Sequence, residues 1–502
     1  MNKLFKDFAA LLLLFLLSFS VSHAKDAGGE MPASDMKKPL SEGMKIIEQM
    51  KFPPINFKVP EIGKEVEKVM LDNGMILYLK EDHRAPVINI SGVIRTGEAY
   101  EKKSQYGVAR LTGEVMRNGG TRYLSPEELN DSLDVMAAKL ETGIEEEKGT
   151  ISMEIISSQL EAGFDLFSEV LRYPAFDSRE LELAKSQLKE ELKRRNDNSS
   201  SVGFLEFNKI IYPDYCEGWE YDWQVVNKIT RDDLVKWHSR FYHPNNMMFA
   251  VAGDFKKDEI IVLFNKKFGD WEKKDIDFSG LQDNELKFNP GLYYAVKDVD
   301  QSFILFGHLG VRRDNPDRYA IEVMNFILGR GGFNSYLMEK VRSDEGLAYS
   351  VGSFFQLNER VYGAAGSYCW TKSATTVKAL KLMIDQFRRI QNEKVSPDKL
   401  KWAKDSIINS YLFKFEKPID QAVILMMLDY DGMPGDYYKT YAQKINAVTA
   451  DEVMRVAKKY LSPENFTIVV VCNPEELGEP LTKIGTPREI KLTEFNEGEV
   501  EK

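Results

Sequence analysis

The chain has 502 residues, which is long enough for two or more domains. Hydrophobic residues make up 43% of it and aromatic residues 11%, which is enough for large cores and excludes a largely disordered chain. The net charge is −11, and the sequence has no long basic run and no basic stretch interleaved with aromatic residues. Nothing in the composition therefore supports nucleic-acid binding.

The first residues have the pattern of a signal peptide. Two lysines precede an apolar run from Phe8 to Val21, and the small-x-small triplet 22–24 follows the run. This predicts a signal peptide over residues 1–24 and an exported, periplasmic chain. The alternative is an uncleaved anchor, for which the run is short because a spanning helix needs about 20 residues. No second run of that length follows, so we expect no membrane span after cleavage.

The three cysteines, Cys216, Cys369 and Cys472, are widely spaced and form no CxxC pair. Three cysteines in one exported chain cannot all pair with one another. Their spacing does not match a metal site, and we expect buried free thiols.

Residues 25–60 are polar and contain several prolines, including the pair Pro53-Pro54. This composition predicts an extended N-terminal arm. We expect the arm to wrap a domain or a partner.

From residue 61 onward, strand and helix patterns alternate. An Asp-Asn-Gly turn predicts a hairpin over residues 69–82. Period-two alternation predicts a strand over residues 85–97, and we expect its first part, residues 85–93, to be an edge strand that can bind an extended peptide by strand addition. Ser125 as N-cap and Pro126 at the first helical position predict a helix. Further predictions are helices over 158–174 and 177–197 and a buried strand over 245–254.

The chain repeats itself at a fixed offset. The stretch "ITRDDLVKWHSRFYHPNNMMFAVAGD" begins at Ile229, and the similar stretch "VTADEVMRVAKKYLSPENFTIVVVCN" begins at Val448. Ala184 and Ala403, which occupy the same place in a shared Leu-x-x-Ala-Lys frame, are separated by the same number of positions as Ile229 and Val448. Two separate matches at one offset predict an internal duplication.

The duplication sets the predicted domain boundaries. We expect a first domain over residues 61–275, a linker over 276–290 and a second domain over 291–485. Strands and helices mix without strict βαβ alternation, so the predicted fold class is α+β, with two homologous repeats that are each a mostly antiparallel sheet with helices on one face.

The stretch "GVARLTGEVMRNGGT", residues 107–121, has the outline of a metallopeptidase helix. Together with the signal peptide and the duplication, it resembles the pitrilysin/insulinase-type zinc peptidases, the M16 family, and within it the bacterial members related to mitochondrial processing peptidase. In that family HxxEH supplies two zinc-binding histidines and a glutamate base. The resemblance places Arg110 and Glu114 at the two histidines, Gly113 at the base and Glu191 at the distal ligand.

These replacements remove the chemistry of the motif. Arginine has no lone pair to offer a metal, and glycine offers no proton acceptor. We therefore expect no metal in this chain and hypothesise that Arg110 pairs with Glu114 or Glu191 where zinc would lie. The alternative for Glu191 is a solvated glutamate on a charged helix.

The second repeat contains a glycine-rich turn with Gly329, Gly331 and Gly332. The offset of the duplication places Gly329 opposite Arg110 and Gly332 opposite Gly113. Phosphate binding is excluded because no GxxxxGK pattern is present. The resemblance implies a loop that helps to capture substrate, and the alternative is a turn that lets backbones pack closely.

The same repeat contains "VRSDEGLAYSV", with Arg342 and Tyr349 near its two ends. The resemblance implies that this pair binds substrate backbone beside the cleaved bond, because an arginine donates to peptide carbonyls and a tyrosine hydroxyl stabilises a developing oxyanion. The alternative is an arginine in a surface ion pair beside a core tyrosine.

The resemblance implies a division of labour between two chains. The predicted function is a non-catalytic, substrate-binding subunit of a periplasmic M16-type peptidase, in a heterodimer with an HxxEH-bearing subunit that holds the zinc, or in a homodimer. Its substrate would be a peptide or unfolded protein. The alternative is a pseudo-peptidase that only binds peptides or acts as a scaffold. An active homodimer with a non-zinc mechanism has no Ser–His–Asp or Cys–His frame to support it.

Overall fold

The computed structural model describes residues 59–278, 285–358 and 360–496, together with Gly43 and Met50. The predicted signal peptide and nearly all of the predicted arm lie outside the described residues. The described residues from 59 onward form one compact unit that contains both repeats.

The described strands form two six-stranded sheets, one in each repeat, and a small two-stranded sheet. The first sheet has the order β1-β2-β6-β3-β5-β4, and the second has the order β10-β12-β8-β13-β7-β14. The strands are β1 (Glu67–Met70), β2 (Ile76–Glu81), β3 (Val87–Ile94), β4 (Lys139–Ile144), β5 (Gly149–Ile156), β6 (Met247–Gly253), β7 (Gly291–Val296), β8 (Gln301–Leu309), β9 (Val311–Arg312), β10 (Ala348–Phe355), β11 (Leu357–Asn358), β12 (Ala364–Lys372), β13 (Thr467–Cys472) and β14 (Pro487–Ile490).

Fourteen α-helices pack around these sheets in the described part of the chain. They are α1 (Val108–Asn118), α2 (Pro126–Val135), α3 (Leu160–Arg172), α4 (Ser178–Arg194), α5 (Ser199–Ile211), α6 (Trp223–Val226), α7 (Arg231–Phe241), α8 (Lys257–Phe268), α9 (Arg318–Asn325), α10 (Thr376–Asn392), α11 (Pro397–Leu412), α12 (Pro418–Tyr430), α13 (Tyr437–Ala447) and α14 (Ala450–Tyr460).

The two sheets share one topology over five strands. In each, a parallel pair is followed by three antiparallel pairings: β2-β6-β3-β5-β4 in the first sheet and β7-β13-β8-β12-β10 in the second. The sixth strands differ, because β1 pairs antiparallel with β2 and β14 pairs parallel with β7. The predicted fold class, two α+β repeats with mostly antiparallel sheets, is confirmed.

Repeated sequence produces repeated helix starts. Thr230 begins α7 with a capping box that includes Asp233, and Thr449 begins α14 with one that includes Glu452. In both boxes the acidic side chain accepts a hydrogen bond from the backbone N–H of the threonine, which satisfies a donor that the helix leaves unpaired. The sequence also places an N-cap at Ser125, and the structure confirms it.

Each repeat donates one helix to the other. Helix α5 of the first repeat packs on β8 and β13 of the second sheet, and α12 of the second repeat packs on β2 and β6 of the first sheet. The first residues of α5 and α12 are separated by the offset of the duplication, and so are their last residues. Helix α5 approaches closely enough that a Cβ at Gly203 would lie 2.5 Å from the ring of Phe303. The exchange gives each sheet helices on both faces, whereas the sequence predicts helices on one face.

Strand β3 is not an edge strand. It pairs with β6 on one side and with β5 on the other, so its backbone groups are already used within the sheet. The prediction that residues 85–93 form an edge that accepts a peptide strand is therefore wrong. The edges of the first sheet are β1 and β4.

The three cysteines are buried free thiols, as predicted. Burial raises the pKa of each thiol above its ordinary value. None of the helices among the described residues has both the length and the apolar character that crossing a membrane requires.

Candidate functional site

Helix α1 carries the degenerate metallopeptidase motif and lies along β4, an edge strand of the first sheet. The helix begins at Gly107, whose φ of 115° lies in the left-handed region that favours glycine. The buried carboxylate of Glu101 accepts hydrogen bonds from the backbone N–H groups of Gly107 and Ala109. A side chain upstream of the helix thus satisfies its first donors, which fixes the start of α1.

Gly113, the position of the base in the family motif, is the contact point between α1 and β4. A Cβ at this position would lie 2.4 Å from the backbone nitrogen of Ile144 and 2.7 Å from the carbonyl carbon of Gly143. The Thr142 hydroxyl also donates to the carbonyl oxygen of Gly113 at 2.6 Å. The helix and the strand are therefore packed too closely for any side chain at position 113.

Arg110 and Glu191 form an ion pair between α1 and α4. The distance between Arg110 Nη2 and Glu191 Oε2 is 2.7 Å, so the pairing hypothesised from the sequence is present. The Arg110 guanidinium also lies over the ring of Tyr221, 5.4 Å from its centroid. The arginine side chain is 30% exposed and that of Glu191 is 57% exposed. A fixed positive charge therefore joins the two helices that carry the metal ligands in the family motif.

Two more carboxylates surround Arg110. Glu98 is buried and accepts hydrogen bonds from the hydroxyl groups of Tyr106 and Tyr221. Burial raises the pKa of Glu98, while these hydrogen bonds and Arg110 oppose the change. Burial likewise raises the pKa of Glu114, and Arg110 again acts in the opposite direction. Arg110 is thus the cation that offsets a locally acidic environment.

The residues at this position do not fit a catalytic zinc ion. Arg110 has no lone pair and is already bound to Glu191, and Gly113 provides no base. Among the described residues, no group of three or more His, Cys, Asp or Glu side chains has an arrangement that could hold a metal ion.

The glycine-rich turn of the second repeat has the same backbone conformation as the end of α1. Gly119, which follows α1, has φ −83° and ψ 12°, and Gly331 has φ −76° and ψ 12°. The next residue is Gly120 in the first repeat and Gly332 in the second, and both have φ 70°. The two turns are therefore equivalent, with Gly120 corresponding to Gly332.

Hydrogen bonds support this alignment of the two repeats. In the first, the Thr142 hydroxyl donates to the carbonyl oxygen of Gly113. In the second, the Ser353 hydroxyl donates to the carbonyl and side-chain oxygens of Asn325. Asn325 precedes its turn by the same number of positions as Gly113 does, and each of the two lies in the helix that packs on an edge strand.

The predicted equivalence of Gly329 with Arg110, and of Gly332 with Gly113, is therefore wrong. The offset that relates Ala184 to Ala403 holds for α4 and α11, for α5 and α12, and for α7 and α14, but the offset between the two turns is smaller. The second repeat has more residues between its turn and α11 than the first has between its turn and α4. The sequence offset did not reveal where these residues are inserted.

The glycines of the second turn have different structural reasons. A Cβ at Gly329 would lie 2.4 Å from the backbone nitrogen of Ser353, and one at Gly331 would lie 2.4 Å from the ring of Trp402. Gly332 has φ 70° and no neighbour within 4 Å of an added Cβ. Close packing explains the first two glycines, and a left-handed turn explains the third.

Arg342 and Tyr349, the predicted substrate-binding pair, are in contact. Arg342 lies in a π-helical turn, Met338–Asp344, that packs on β10, the edge strand of the second sheet. Its Nη1 donates to the backbone oxygen of Tyr349 at 2.8 Å, and its guanidinium lies 4.9 Å from the centre of the Tyr349 ring. The alternative of a core tyrosine does not hold, because Tyr349 is 81% exposed.

A bulge in β10 turns Tyr349 outward. Ala348 pairs with Thr371 and Ser350 pairs with Trp370, which leaves Tyr349 as an extra residue without a partner in the ladder. Such an extra residue bends the strand locally and redirects its side chain. The bulge and the bond from Arg342 together fix Tyr349 at the sheet edge.

Phe333 also belongs to this cluster, and sequence reasoning missed it. Its ring lies 4.7 Å from the Arg342 guanidinium, on the glycine-rich turn, and its side chain is 63% exposed. The signal available in the sequence was a large apolar residue directly after two glycines. Among the described residues, no hydrogen bond, ion pair or ring contact links the cluster of Phe333, Arg342 and Tyr349 to Arg110 or Glu191.

Both repeats match known families. Residues 77–214 match the family described as insulinase (peptidase family M16), and residues 228–407 match the peptidase M16 inactive domain. Together the two matches cover more than half of the chain. The chain belongs to the M16 family.

The curated relatives of this M16 protein include two bacterial proteins. It is 25% identical over 405 residues to the "non-peptidase homolog YmxG" of Helicobacter pylori. The alignment covers 80% of this chain and 92% of the relative. It is 22% identical over 358 residues to the "uncharacterized zinc protease YmxG" of Bacillus subtilis, which covers 70% of this chain and 85% of the relative.

Solved M16 structures share the fold. The peptidase M16 inactive domain from Pseudomonas fluorescens aligns with a TM-score of 0.73 at 22% identity, over 81% of this chain and 97% of that one. The periplasmic protease PqqL from Escherichia coli aligns with a TM-score of 0.71 at 14% identity, over 92% of this chain and 50% of that one. At these identities the likeness extends to the fold alone.

Proposed function

We propose that this M16 protein is the non-catalytic, substrate-binding subunit of an exported zinc peptidase. Its second repeat supplies Arg342 and Tyr349 to a composite site, and an HxxEH-bearing M16 partner supplies the zinc and the base. This chain itself binds no metal. Peptides and unfolded protein segments are the substrates.

One observation carries the proposal: the contrast between the two edge-strand sites. In the first repeat, Gly113 is packed against β4 and Arg110 is bonded to Glu191, so the family chemistry is absent. In the second repeat, Arg342 and Tyr349 contact each other at an exposed edge. A guanidinium beside an exposed tyrosine can donate hydrogen bonds to the carbonyl groups of an extended peptide.

The name of one relative and the description of one family match are consistent with this proposal. The H. pylori relative is called a non-peptidase homolog, and the family match of residues 228–407 is called an inactive domain. Export is supported by the N-terminal pattern of residues 1–24 and by the periplasmic location given for the fold relative PqqL.

The second candidate function is a peptide-binding or scaffold protein that completes no active site. The name of the H. pylori relative favours this candidate, since it mentions no peptidase partner. Both candidates share peptide binding at Arg342 and Tyr349, and they differ in whether an HxxEH-bearing partner gains activity from this chain.

Hydrolysis of a quenched fluorescent peptide library separates the two candidates. The chain without residues 1–24 is assayed alone and then mixed with each HxxEH-bearing M16 relative from the same genome. We expect no hydrolysis from the chain alone and chelator-sensitive hydrolysis in one of the mixtures. A complex that forms without gaining activity would support the scaffold.

The role of Arg342 is tested in the active mixture. Arg342→Ala is expected to lower kcat/KM by at least about tenfold, because a charge-assisted hydrogen bond to substrate contributes about 1.5–3 kcal/mol. Arg488→Ala is the matched control: Arg488 lies near the ring of Tyr293, 5.8 Å from its centroid, on β14 at the opposite edge of the same sheet. Equal effects of the two substitutions would contradict the proposal.

A further inference from the structure

Phe333, Arg342 and Tyr349 form a small exposed cluster, called here the aromatic clamp. The Arg342 guanidinium lies close to two rings, 4.7 Å from the centre of Phe333 and 4.9 Å from the centre of Tyr349. The two aromatic side chains are 63% and 81% exposed. The clamp therefore presents two apolar ring surfaces and a cation to solvent at the edge of the second sheet.

The exposure of Phe333 is fixed by the turn that carries it. The buried Ser335 uses its backbone N–H and its hydroxyl to donate to the carbonyl oxygen of Gly332, at 2.9 and 2.7 Å. Lys399 Nζ donates to the carbonyl oxygen of Asn334 at 2.6 Å. The residues on both sides of Phe333 are thus anchored, so the ring is held in solvent by a defined backbone. Burial would be the favourable state for such a ring.

Arg342 has unused hydrogen-bonding capacity. Its Nη1 donates to the Tyr349 backbone oxygen, while its Nε and Nη2 have no hydrogen-bond partner in the described part of the chain. No carboxylate of the described residues pairs with it; the nearby Glu345 is bound instead by Lys340 and Lys378. A guanidinium without an acidic partner, positioned next to two rings, is suited to bind an oxygen ligand from another molecule.

We propose that the aromatic clamp selects extended peptides in which a large apolar side chain neighbours the carbonyl group that Arg342 binds. The apolar side chain packs against Phe333 and Tyr349, and Nε or Nη2 of Arg342 donates to the peptide carbonyl. This inference rests on the proposed function and adds its substrate class. It also adds Phe333 as a specificity-determining residue.

The geometry favours a peptide over other occupants. The bulge at Tyr349 interrupts the ladder, and β10 has a paired neighbour, β12, on one side only, so main-chain groups of the strand border the clamp. An extended peptide can use such groups for hydrogen bonds while its alternate side chains contact the rings. Both rings lie within 5 Å of a single guanidinium, which matches one apolar side chain next to one carbonyl oxygen.

Calorimetric titration of the chain without residues 1–24 tests the clamp directly. The probes are short unstructured peptides of glycine, serine and threonine that carry phenylalanine, leucine, aspartate or threonine at the centre. We expect the phenylalanine and leucine peptides to bind about tenfold more tightly than the threonine peptide, since burying one large apolar side chain is worth about that factor.

Phe333→Ala is expected to abolish this preference while the threonine peptide binds as before. Phe413→Ala is the matched control, because Phe413 is 73% exposed on the turn after α11 and lies outside the clamp. A preference for apolar peptides that survives Phe333→Ala overturns the inference, and so does equal binding of all four peptides.

The proposed function and the clamp fail in different ways. Loss of binding in Arg342→Ala with no effect of Phe333→Ala would refute the clamp and leave peptide capture by Arg342 intact. If neither substitution changes binding, or if no peptide binds, both proposals are refuted.

Discussion

Restoring the metal motif is predicted to fail because of one backbone contact. The triple variant Arg110→His, Gly113→Glu, Glu114→His introduces the HxxEH motif on α1. Any side chain at position 113, however, would place its Cβ 2.4 Å from the nitrogen of Ile144 and 2.7 Å from the carbonyl carbon of Gly143. Both are backbone atoms of β4, and neither can rotate aside as a side chain would. The helix and the strand must separate before a base can be accommodated.

The cost of that separation is measurable with Gly113→Ala, which adds only the Cβ. Overpacking of this kind costs about 1–3 kcal/mol. Separation also stretches the 2.6 Å hydrogen bond from Thr142 to the Gly113 carbonyl, which is worth about 1 kcal/mol. Alanine regains about 1 kcal/mol of helix propensity relative to glycine. The net expectation is a fall of about 2 kcal/mol in the free energy of unfolding.

The assay is chemical denaturation of the wild type, of Gly113→Ala and of a control variant, Gly143→Ala. Gly143→Ala is the matched control on the other side of the same contact, because its Cβ would meet only Thr150 Oγ1, at 3.6 Å. We expect the control to change the unfolding free energy by less than about 0.5 kcal/mol. Peptidase activity of the triple variant is measured with and without a chelator.

Two results would refute this reasoning. One is a Gly113→Ala variant that is as stable as the wild type. The other is a triple variant that is folded and cleaves peptides in a chelator-sensitive manner, which would show that residue identity alone, and not the packing of α1 on β4, removed the chemistry.

Three further predictions follow from individual contacts. A double-mutant cycle on Arg110 and Glu191 should give a coupling energy of about 0.5–1 kcal/mol, since both side chains are partly exposed. A coupling energy near zero would show that the ion pair does not stabilise the contact between α1 and α4. Hydrogen bonds, first of all from Arg455, hold the pKa of Asp317 below its ordinary value. The stability that this carboxylate contributes is therefore complete above the unfolded pKa of about 4 and is lost as the pH falls below it. Asp317→Asn should reduce the dependence of the unfolding free energy on pH in acid, as measured by denaturation from about pH 5 downward. Gly203→Ala should lower the melting temperature, because its Cβ would lie 2.5 Å from a ring of the other repeat, and an unchanged melting temperature would contradict the packing of α5 on the second sheet.

The duplication was predictable because the residues that begin equivalent helices are repeated in the sequence. The threonine that begins α7 and the one that begins α14 are each followed three residues later by an acidic residue, and the same capping box forms twice. Local patterns of this kind specify which segments become helices and strands. The internal offset then specified two copies of one unit.

Which neighbour each element contacts was not predictable in the same way. Strand β3 has alternating apolar residues, as an edge strand can, yet it lies in the middle of its sheet. Helix α5 has an apolar face, but only the tertiary structure shows that Val202 and Phe207 pack into the core of the other repeat. The spacing of apolar residues indicates that one face of an element is buried, but it does not indicate which element covers that face.

The glycines show where a sequence signal existed and was open to two meanings. A glycine inside a helix costs about 1 kcal/mol relative to alanine, so Gly113 required a structural reason. The sequence suggested the loss of a catalytic base, and the structure adds a close contact with β4. For Gly329 and Gly331 the close-packing alternative accounts for the residues, whereas their part in capturing substrate stays a prediction.

The two repeats share a scaffold but differ in the side chains that they carry next to the edge strand. Both repeats set a helix against an edge strand and end it in the same pair of glycine conformations. Helix α2 begins as many positions after Gly120 in the first repeat as the π-helical turn with Arg342 begins after Gly332 in the second. In the first repeat Arg110 is bonded to Glu191, whereas in the second Arg342 contacts the exposed Tyr349. This contrast is what the proposed role requires, since a chain that binds peptide and leaves the cleavage to a partner needs exposed binding groups and no metal site of its own.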